Sequence, residues 1–135
     1  MARILVMDDD DTVREATASF LESERFEVVA VADGAAGIEE IKKQRFDLVV
    51  VDVFMPGMDG LETTRAIRQL DSTVPVIAVS GFMLGNLRLE MPNFDTMAAE
   101  VGAFWTLYKP FHPAVLLQTI REALGGAKPA AVSNG

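Results

Sequence analysis

The sequence lacks several features that would assign it to a familiar class. It contains no cysteine, so disulfide bonds and thiolate metal sites are excluded. It has no apolar run near the roughly 20 residues that a membrane-spanning helix needs. It has no lysine and arginine cluster of the kind that neutralises nucleic-acid phosphates, and its net charge is −8. We therefore expect a cytoplasmic protein that contacts neither a membrane nor DNA directly.

What the sequence does contain is a series of short apolar runs rich in valine and isoleucine. They are mostly continuous rather than alternating, which is typical of parallel strands buried on both faces. The runs are RILVM (3–7), EVVAV (27–31), DLVVV (47–51), VPVIAV (74–79) and FWTLY (104–108). Segments with helical spacing separate them. Because strands and helices alternate, the sequence predicts a doubly wound α/β fold with a five-stranded parallel sheet.

Capping residues mark where predicted helices begin, and composition marks where the domain ends. Asp59, with Glu62 three residues later, has the pattern of a helix N-cap. Pro113 fits the first turn of the last helix. The last eleven residues, GGAKPAAVSNG, have no apolar periodicity. We therefore predict one domain over 1–124 and a flexible tail over 125–135, with no second domain.

Polar side chains follow four of the predicted strands at the point where each strand ends. Asp8 and Asp9 follow the first strand, and Asp52 follows the third. Ser80 follows the fourth strand and Lys109 the fifth. Because the carboxyl ends of parallel strands lie at one edge of the sheet, we expect these side chains to converge on one cleft.

The chemistry of this set indicates a site for a phosphoryl group. Three carboxylates close together repel one another unless a cation lies between them. Oxygen ligands without histidine or cysteine favour a hard ion, and Mg²⁺ is our candidate. An ammonium group and a hydroxyl beside such an ion are suited to bind phosphoryl oxygens. Asp52 is then left to attack phosphorus as the nucleophile.

Four motifs occur in order along the chain, each at the end of a predicted strand: VMDDD, VVVDVFMPGMDG, VIAVSG and YKPF. Together they resemble the receiver domain of two-component response regulators, over about residues 2–124. The resemblance implies a flavodoxin-like sheet with strand order 2-1-3-4-5. It implies a stand-alone response regulator that a sensor histidine kinase or a histidine phosphotransfer protein phosphorylates. Phosphorylation would switch contacts with a downstream protein target.

The same resemblance implies a role for each site residue. Asp52 is similar to the phosphoacceptor of the family. Ser80 matches the small hydroxyl residue that moves towards the phosphoryl group. Lys109, before a cis Pro110, matches the lysine that pairs with that group. The ligands that the resemblance implies for Mg²⁺ are the carboxylates of Asp8, Asp9 and Asp52 and the main-chain carbonyl of Phe54.

Three features affect how such a switch would work. The family usually carries an aromatic residue three positions before the lysine, where this sequence has Thr106. The adjacent Trp105 should point to the other face of its strand, because side chains alternate along a strand. The segment 81–93 is longer than the family pattern, and we interpret it as a mobile partner-binding loop. Phe54 and Phe82 would flank the path of a water that attacks the phosphoryl group, which predicts slow dephosphorylation.

Two other interpretations use the same acids. A phosphohydrolase of the haloacid dehalogenase type has a second aspartate two residues after the nucleophile, where this chain has Phe54. We therefore expect no turnover enzyme, only catalysis of the phosphorylation and dephosphorylation of Asp52 itself. A pseudo-receiver that binds a partner without being phosphorylated stays open as the alternative.

Overall fold

A computed structural model describes residues 1–54, 59–84, 87–89 and 93–126, with the backbone alone at 82–84 and 87–89. Its strands are β1 (Arg3–Met7), β2 (Glu27–Val31), β3 (Leu48–Asp52), β4 (Val76–Ser80), β5 (Phe82–Leu84), β6 (Leu87–Leu89) and β7 (Trp105–Tyr108). Its helices are α1 (Asp11–Ser23), α2 (Gly34–Lys43), α3 (Gly60–Leu70), α4 (Phe94–Glu100) and α5 (Pro113–Leu124).

Five of the strands form one parallel sheet, in the order β2-β1-β3-β4-β7. Counted along the chain within this sheet, the order is 2-1-3-4-5, so the predicted flavodoxin-like α/β fold is confirmed. The strand order reverses between β1 and β3, which pair directly. Ligands of such folds bind beside the carboxyl ends of the strands at this reversal.

The sheet buries apolar side chains on both faces. On β1, Leu5 and Met7 contribute to a cluster that α2, α3 and α4 cover. Ile4 and Val6 contribute to a second cluster, which α1 and α5 cover. Burying one such side chain contributes about 1.5–3 kcal/mol, so this alternation fixes the orientation of each strand firmly. Asp8, which follows β1, and Asp52, the last residue of β3, are oriented by the same alternation.

The burial predicted for all five strands holds only for the middle of the sheet. Every residue of β3 and β4 is buried, as is all of β1 except Arg3. The prediction is wrong for β2, where Glu27 and Ala30 are exposed. The physical reason is position, because β2 is an edge strand with a neighbour on one side only.

The segment 81–93, interpreted from the sequence as a loop, contains regular structure. The strands β5 and β6 pair antiparallel, with Phe82 opposite Leu89 and Leu84 opposite Leu87. The hairpin begins two residues after Ser80, where β4 ends. The proposed partner-binding role of this segment stays a prediction.

Polar residues cap α1, α3 and α5, and the cap of α3 is the one that the sequence predicts. The Asp59 carboxylate accepts a hydrogen bond of 2.8 Å from the Glu62 N–H at the start of α3. Asp10 caps α1 in the same way. Pro113 lies in the first turn of α5, and the exposed His112 caps that helix by accepting a hydrogen bond at Nδ1.

The helix α5 ends at Leu124, the residue where we predicted the domain to end. Residues 127–135 lie outside the described part of the chain, so the predicted tail over 125–135 stays a prediction. Among the described residues the longest helix is α1, with 13 residues, and none of the helices there could span a membrane.

Candidate functional site

Strand alternation aims three of the predicted site residues at the same side of the sheet. Asp8 continues the series Ile4 and Val6 on β1, and Asp52 continues Val50 on β3, so both point to the side of α1 and α5. Lys109 follows Leu107 on β7 and points there as well. The backbone of β1 continues one residue further, because the Asp8 N–H donates to the Val31 carbonyl over 3.1 Å.

The three acids form one cluster. Carboxylate oxygens of Asp8, Asp9 and Asp52 all lie within 4.8 Å of one another. Asp8 is 6 % exposed and Asp52 is 4 % exposed, whereas Asp9 is exposed to solvent. The cluster therefore combines two buried carboxylates with one at the mouth of the cleft.

Lys109 bridges the two buried carboxylates. Its Nζ donates to Asp8 Oδ2 over 2.9 Å and to Asp52 Oδ2 over 3.0 Å. Its peptide bond to Pro110 is cis, as expected, and its own N–H donates to the Ser80 carbonyl over 2.7 Å. The lysine is thus fixed at both its backbone and its ammonium group.

The other oxygen of each buried carboxylate is bound by a backbone N–H two residues later in the chain. Asp8 Oδ1 accepts from the Asp10 N–H, and Asp52 Oδ1 accepts from the Phe54 N–H, both over 2.9 Å. Both side chains are therefore held on two sides. Each carboxylate oxygen has two lone pairs and can therefore accept a further hydrogen bond or bind a cation.

Burial and charge determine the pKa values of the site. Burial raises the pKa of Asp52 from its ordinary 3.8 to about 6, although the Lys109 ammonium and the Phe54 N–H act to lower it. The negative charge of Asp8 raises it further. Burial acts to lower the pKa of Lys109, but the hydrogen bond to Asp8 and the charge of Asp52 outweigh it, so the pKa is raised. One lysine does not compensate the charge of three acids.

The acids open into a cleft of about 400 Å³. Its lining comprises Asp9, Asp10, Val13, Asp52, Phe54, Gly81 and Lys109. Phe54 is 37 % exposed at the edge of this cleft, where the shielding hypothesis places it. The side chain of Phe82 lies outside the described residues, so its part in that hypothesis stays a prediction.

Ser80 lies at the same edge of the sheet but with a different orientation. It follows Val76 and Ala78 in alternation, which places its side chain towards α3 and α4 rather than towards the acids. It is fully buried, and its Oγ has no hydrogen-bond partner among the residues that the structure describes. Gly81, the next residue, lines the cleft instead.

Thr106 stands at the position where the family usually has an aromatic residue, and its side chain makes a hydrogen bond. Thr106 Oγ1 donates to Asp95 Oδ1 over 2.6 Å, which joins β7 to α4. Trp105 packs on the opposite face, against the cluster that α1 and α5 cover, as the alternation predicts. Next to this bond, Tyr108 packs edge-to-face on Phe94 at 5.5 Å.

Two contributors to the site were missed by sequence reasoning. Arg14 on α1 reaches back to donate to the Asp8 carbonyl over 2.9 Å and to the Asp11 carboxylate over 2.6 Å. The three-residue spacing of Asp11 and Arg14 in the first helical turn was the available signal. Gly81 is the second, because a Cβ at this position would lie 2.6 Å from the Cβ of Lys109.

Comparison with known proteins identifies the family that this fold and site define. Residues 4–121 match the response regulator receiver domain family, and the chain belongs to it. Among solved structures, the chain is similar to the chemotaxis protein CheY4 of Vibrio cholerae, with 30 % identity, a TM-score of 0.80 and coverage of 91 % of this chain and 98 % of that one. It is also similar to a CheY-like receiver domain protein from Methanospirillum hungatei, with 28 % identity, a TM-score of 0.85 and coverage of 93 % and 95 %.

The curated relatives are longer proteins. The chain is 39 % identical over 122 residues to the transcriptional regulatory protein CseB of Streptomyces coelicolor, covering 90 % of this chain and 48 % of that protein. It is 32 % identical over 123 residues to the DNA-binding response regulator MtrA of Mycobacterium tuberculosis, covering 90 % and 50 %. The chain spans about half the length of these relatives.

The donor set of the acidic cluster fits a divalent cation of the hard type. Its ligands are oxygens alone, and they converge within 4.8 Å. Burial, and to a smaller extent the charge of Asp8, raises the pKa of Asp52 although Lys109 acts to lower it, so the ionised carboxylate is costly at this site. A cation bound by these carboxylates would remove that cost.

Proposed function

We propose that this receiver domain is a phosphorylatable switch in which Asp52 accepts a phosphoryl group from a phosphohistidine. The observation that carries the proposal is the bridging of Asp8 and Asp52 by Lys109 Nζ, at 2.9 and 3.0 Å, beside a third carboxylate. The donor would be a sensor histidine kinase or a histidine phosphotransfer protein. Because the phosphoryl group is transferred rather than released, no turnover of a substrate follows, and the domain is a signalling module.

The proposed transfer is an in-line displacement at phosphorus. An Asp52 carboxylate oxygen forms the new P–O bond while the P–N bond to the donor imidazole breaks. The imidazole leaves with the bonding electron pair and then takes up a proton. The product is an acyl phosphate on Asp52, and the Lys109 ammonium, already within hydrogen-bond distance of that side chain, would pair with its oxygens.

We propose that Mg²⁺ is held by the carboxylates of Asp8, Asp9 and Asp52 and by the main-chain carbonyl of Phe54. When bound, the ion neutralises charge on the phosphoryl oxygens and lets a dianionic group approach three carboxylates. The chain's own part is to fix these ligands. Asp8 and Asp52 are each held by a backbone N–H and by Lys109.

Ser80 is proposed as the residue that reports phosphorylation. Its buried Oγ lacks a partner among the described residues, and such a hydroxyl gains free energy when it finds an acceptor. A phosphoryl oxygen on Asp52 would be that acceptor, and reaching it requires movement at the end of β4. That movement would pass to the hairpin that begins at Phe82.

The output is proposed to run through protein contacts of the receiver domain in the cytoplasm. The relatives CseB and MtrA are by name a transcriptional regulator and a DNA-binding regulator, but the match covers only about half of each. The net charge of −8 disfavours direct contact of this chain with nucleic acid. Its downstream partner is therefore proposed to be a protein.

Substituting the acceptor tests the proposal. Asp52→Asn should abolish labelling by a phosphorylated histidine donor or by phosphoramidate in Mg²⁺, because an amide oxygen is a poor nucleophile. Asp59→Asn is the matched control, since Asp59 caps α3 and should be dispensable for labelling. Undiminished labelling of the Asp52 variant would overturn the assignment. Absence of labelling in the wild type would favour a phosphorylation-independent binding module.

A further inference from the structure

A second cavity lies at the edge of the sheet opposite the acidic cleft. It has a volume of about 250 Å³ and lies where the ends of α2 and α3 meet the starts of β3 and β4. On β3, Val49 lines this cavity and Asp52 lines the cleft. At about 3.3 Å per residue, these two residues are about 10 Å apart.

The rim of this cavity is cationic in an acidic protein. Lys42, Lys43 and Arg45 line it, and Asp71 is the one acid in its lining among the residues that the structure describes. The described rim thus carries three positive charges and one negative, whereas the whole chain carries −8. Asp71 Oδ1 is already bound by the Thr73 N–H, hydroxyl and the next N–H, so that oxygen is fully occupied.

The floor and one lip of the cavity are apolar. Phe46, Val49 and Val74 are buried beneath it, with exposures of 4 %, 0 % and 5 %. Leu70, the last residue of α3, is 48 % exposed on the lip. An apolar side chain that enters the cavity would cover Leu70 and remove apolar surface from water.

We propose that this cavity is a docking site for an acidic segment of a partner protein, anchored by one apolar side chain. The rim provides charge complementarity for carboxylates on either side of the anchor. The lysines are available for this, since Lys42 and Lys43 pair only loosely with Glu39 and Glu40, at 3.6 and 3.8 Å. Such exposed pairs contribute little and are readily exchanged.

Other anionic partners fit the cavity less well. A nucleic acid or an anionic membrane presents an extended negative surface, which the surrounding acids would repel; Glu27, Glu39 and Asp47 all lie exposed near this edge. The carboxylates of a short acidic segment would contact only the cationic rim, while its apolar anchor enters the cavity. The small volume of about 250 Å³ suits one apolar side chain.

This docking site is independent of the proposed phosphoryl chemistry. No residue in the described lining of the cavity belongs to the acidic cleft. A partner bound here would leave Asp52 open to its phosphodonor. The inference therefore predicts that both sites can be occupied together, and it can fail while the proposed function holds.

Three synthetic peptides test the inference against ¹⁵N-labelled protein by NMR. They are Glu-Glu-Leu-Glu-Glu, the same peptide with serine in place of leucine, and Lys-Lys-Leu-Lys-Lys, each with blocked ends. We expect the first to shift amide signals at 41–46 and 70–74, the serine peptide to bind several-fold more weakly, and the lysine peptide to leave these signals unchanged. Anisotropy of a labelled peptide gives the affinities.

Arg45→Glu should weaken binding of the acidic leucine peptide about tenfold, because it reverses a charge on the rim. Arg121→Glu is the matched control, because it makes the same charge reversal at an exposed position on α5, far from the cavity. Both variants should accept phosphoryl label at the wild-type rate. Equal weakening in the two variants, shifts elsewhere on the protein, or no shift with any peptide would overturn the inference.

Discussion

Replacing Asp52 with asparagine should stabilise the metal-free protein at neutral pH, although it removes the proposed acceptor. Asp52 is 4 % exposed, and burial raises its pKa from 3.8 to about 6. An acid whose pKa is higher in the folded state holds its proton more tightly there, so ionisation destabilises the fold. The destabilisation is absent well below pH 3.8, grows as the pH rises through this interval, and is complete above about 6.

The interval between the two pKa values sets the magnitude. From 3.8 to about 6, it corresponds to about 3 kcal/mol at pH 7.5 and about 1 kcal/mol at pH 4.5. Asp52→Asn should recover most of this, because the amide is nearly the same size as the carboxylate. Lys109 keeps its hydrogen bond of 2.9 Å to Asp8, so no ammonium group is left unpaired.

Urea denaturation in EDTA at the two pH values measures the effect. The unfolding free energy of Asp52→Asn should exceed that of the wild type most at pH 7.5. Added Mg²⁺ should reduce this difference, because it stabilises the wild type. Asp9→Asn is the control, because it removes one charge from the same cluster at an exposed position. A variant no more stable than the wild type at pH 7.5, or a gain that does not shrink at pH 4.5, would refute the reasoning.

Three further substitutions test other contacts. Gly81→Ala should slow phosphorylation by phosphoramidate, because the new Cβ would lie 2.6 Å from the Lys109 Cβ and displace the lysine; an unchanged rate would contradict this. Phe54→Asn should speed loss of phosphoryl label by up to about 10²-fold, since an amide can orient the attacking water that the phenyl ring excludes. Label that already decays within seconds in the wild type would argue against shielding. Arg68→Ala should lower the free energy of unfolding by about 2–3 kcal/mol in a urea titration, because its guanidinium donates to the Gly102 carbonyl over 2.6 Å. Arg65→Ala, at an exposed position of the same helix, should cost far less, and equal losses would contradict the assignment.

The sheet was predictable because its signals are local. The runs 3–7 and 27–31 coincide with β1 and β2, since continuous valine and isoleucine both favour extended backbone and bury on a sheet. The hairpin of β5 and β6 was not predicted. Its strands have three residues each, too few for a period of two to be distinguished from a loop. The exposure of β2 also depends on strand order, which no local pattern encodes.

Of the two sites, the acidic cleft could largely be predicted from the sequence, whereas the cationic cavity could not. Asp8, Asp52 and Lys109 could be placed together from sequence, because each follows a strand and the ends of parallel strands align. The orientation of Ser80 was also accessible, since counting alternate residues from Val76 assigns its side chain to the other face. The cationic cavity was not. This cavity forms where the C-terminal ends of α2 and α3 lie side by side. Their proximity results from packing against the core, and no fixed spacing in the sequence indicates it. Pattern reasoning therefore finds sites built on strand ends more readily than sites built where helices meet.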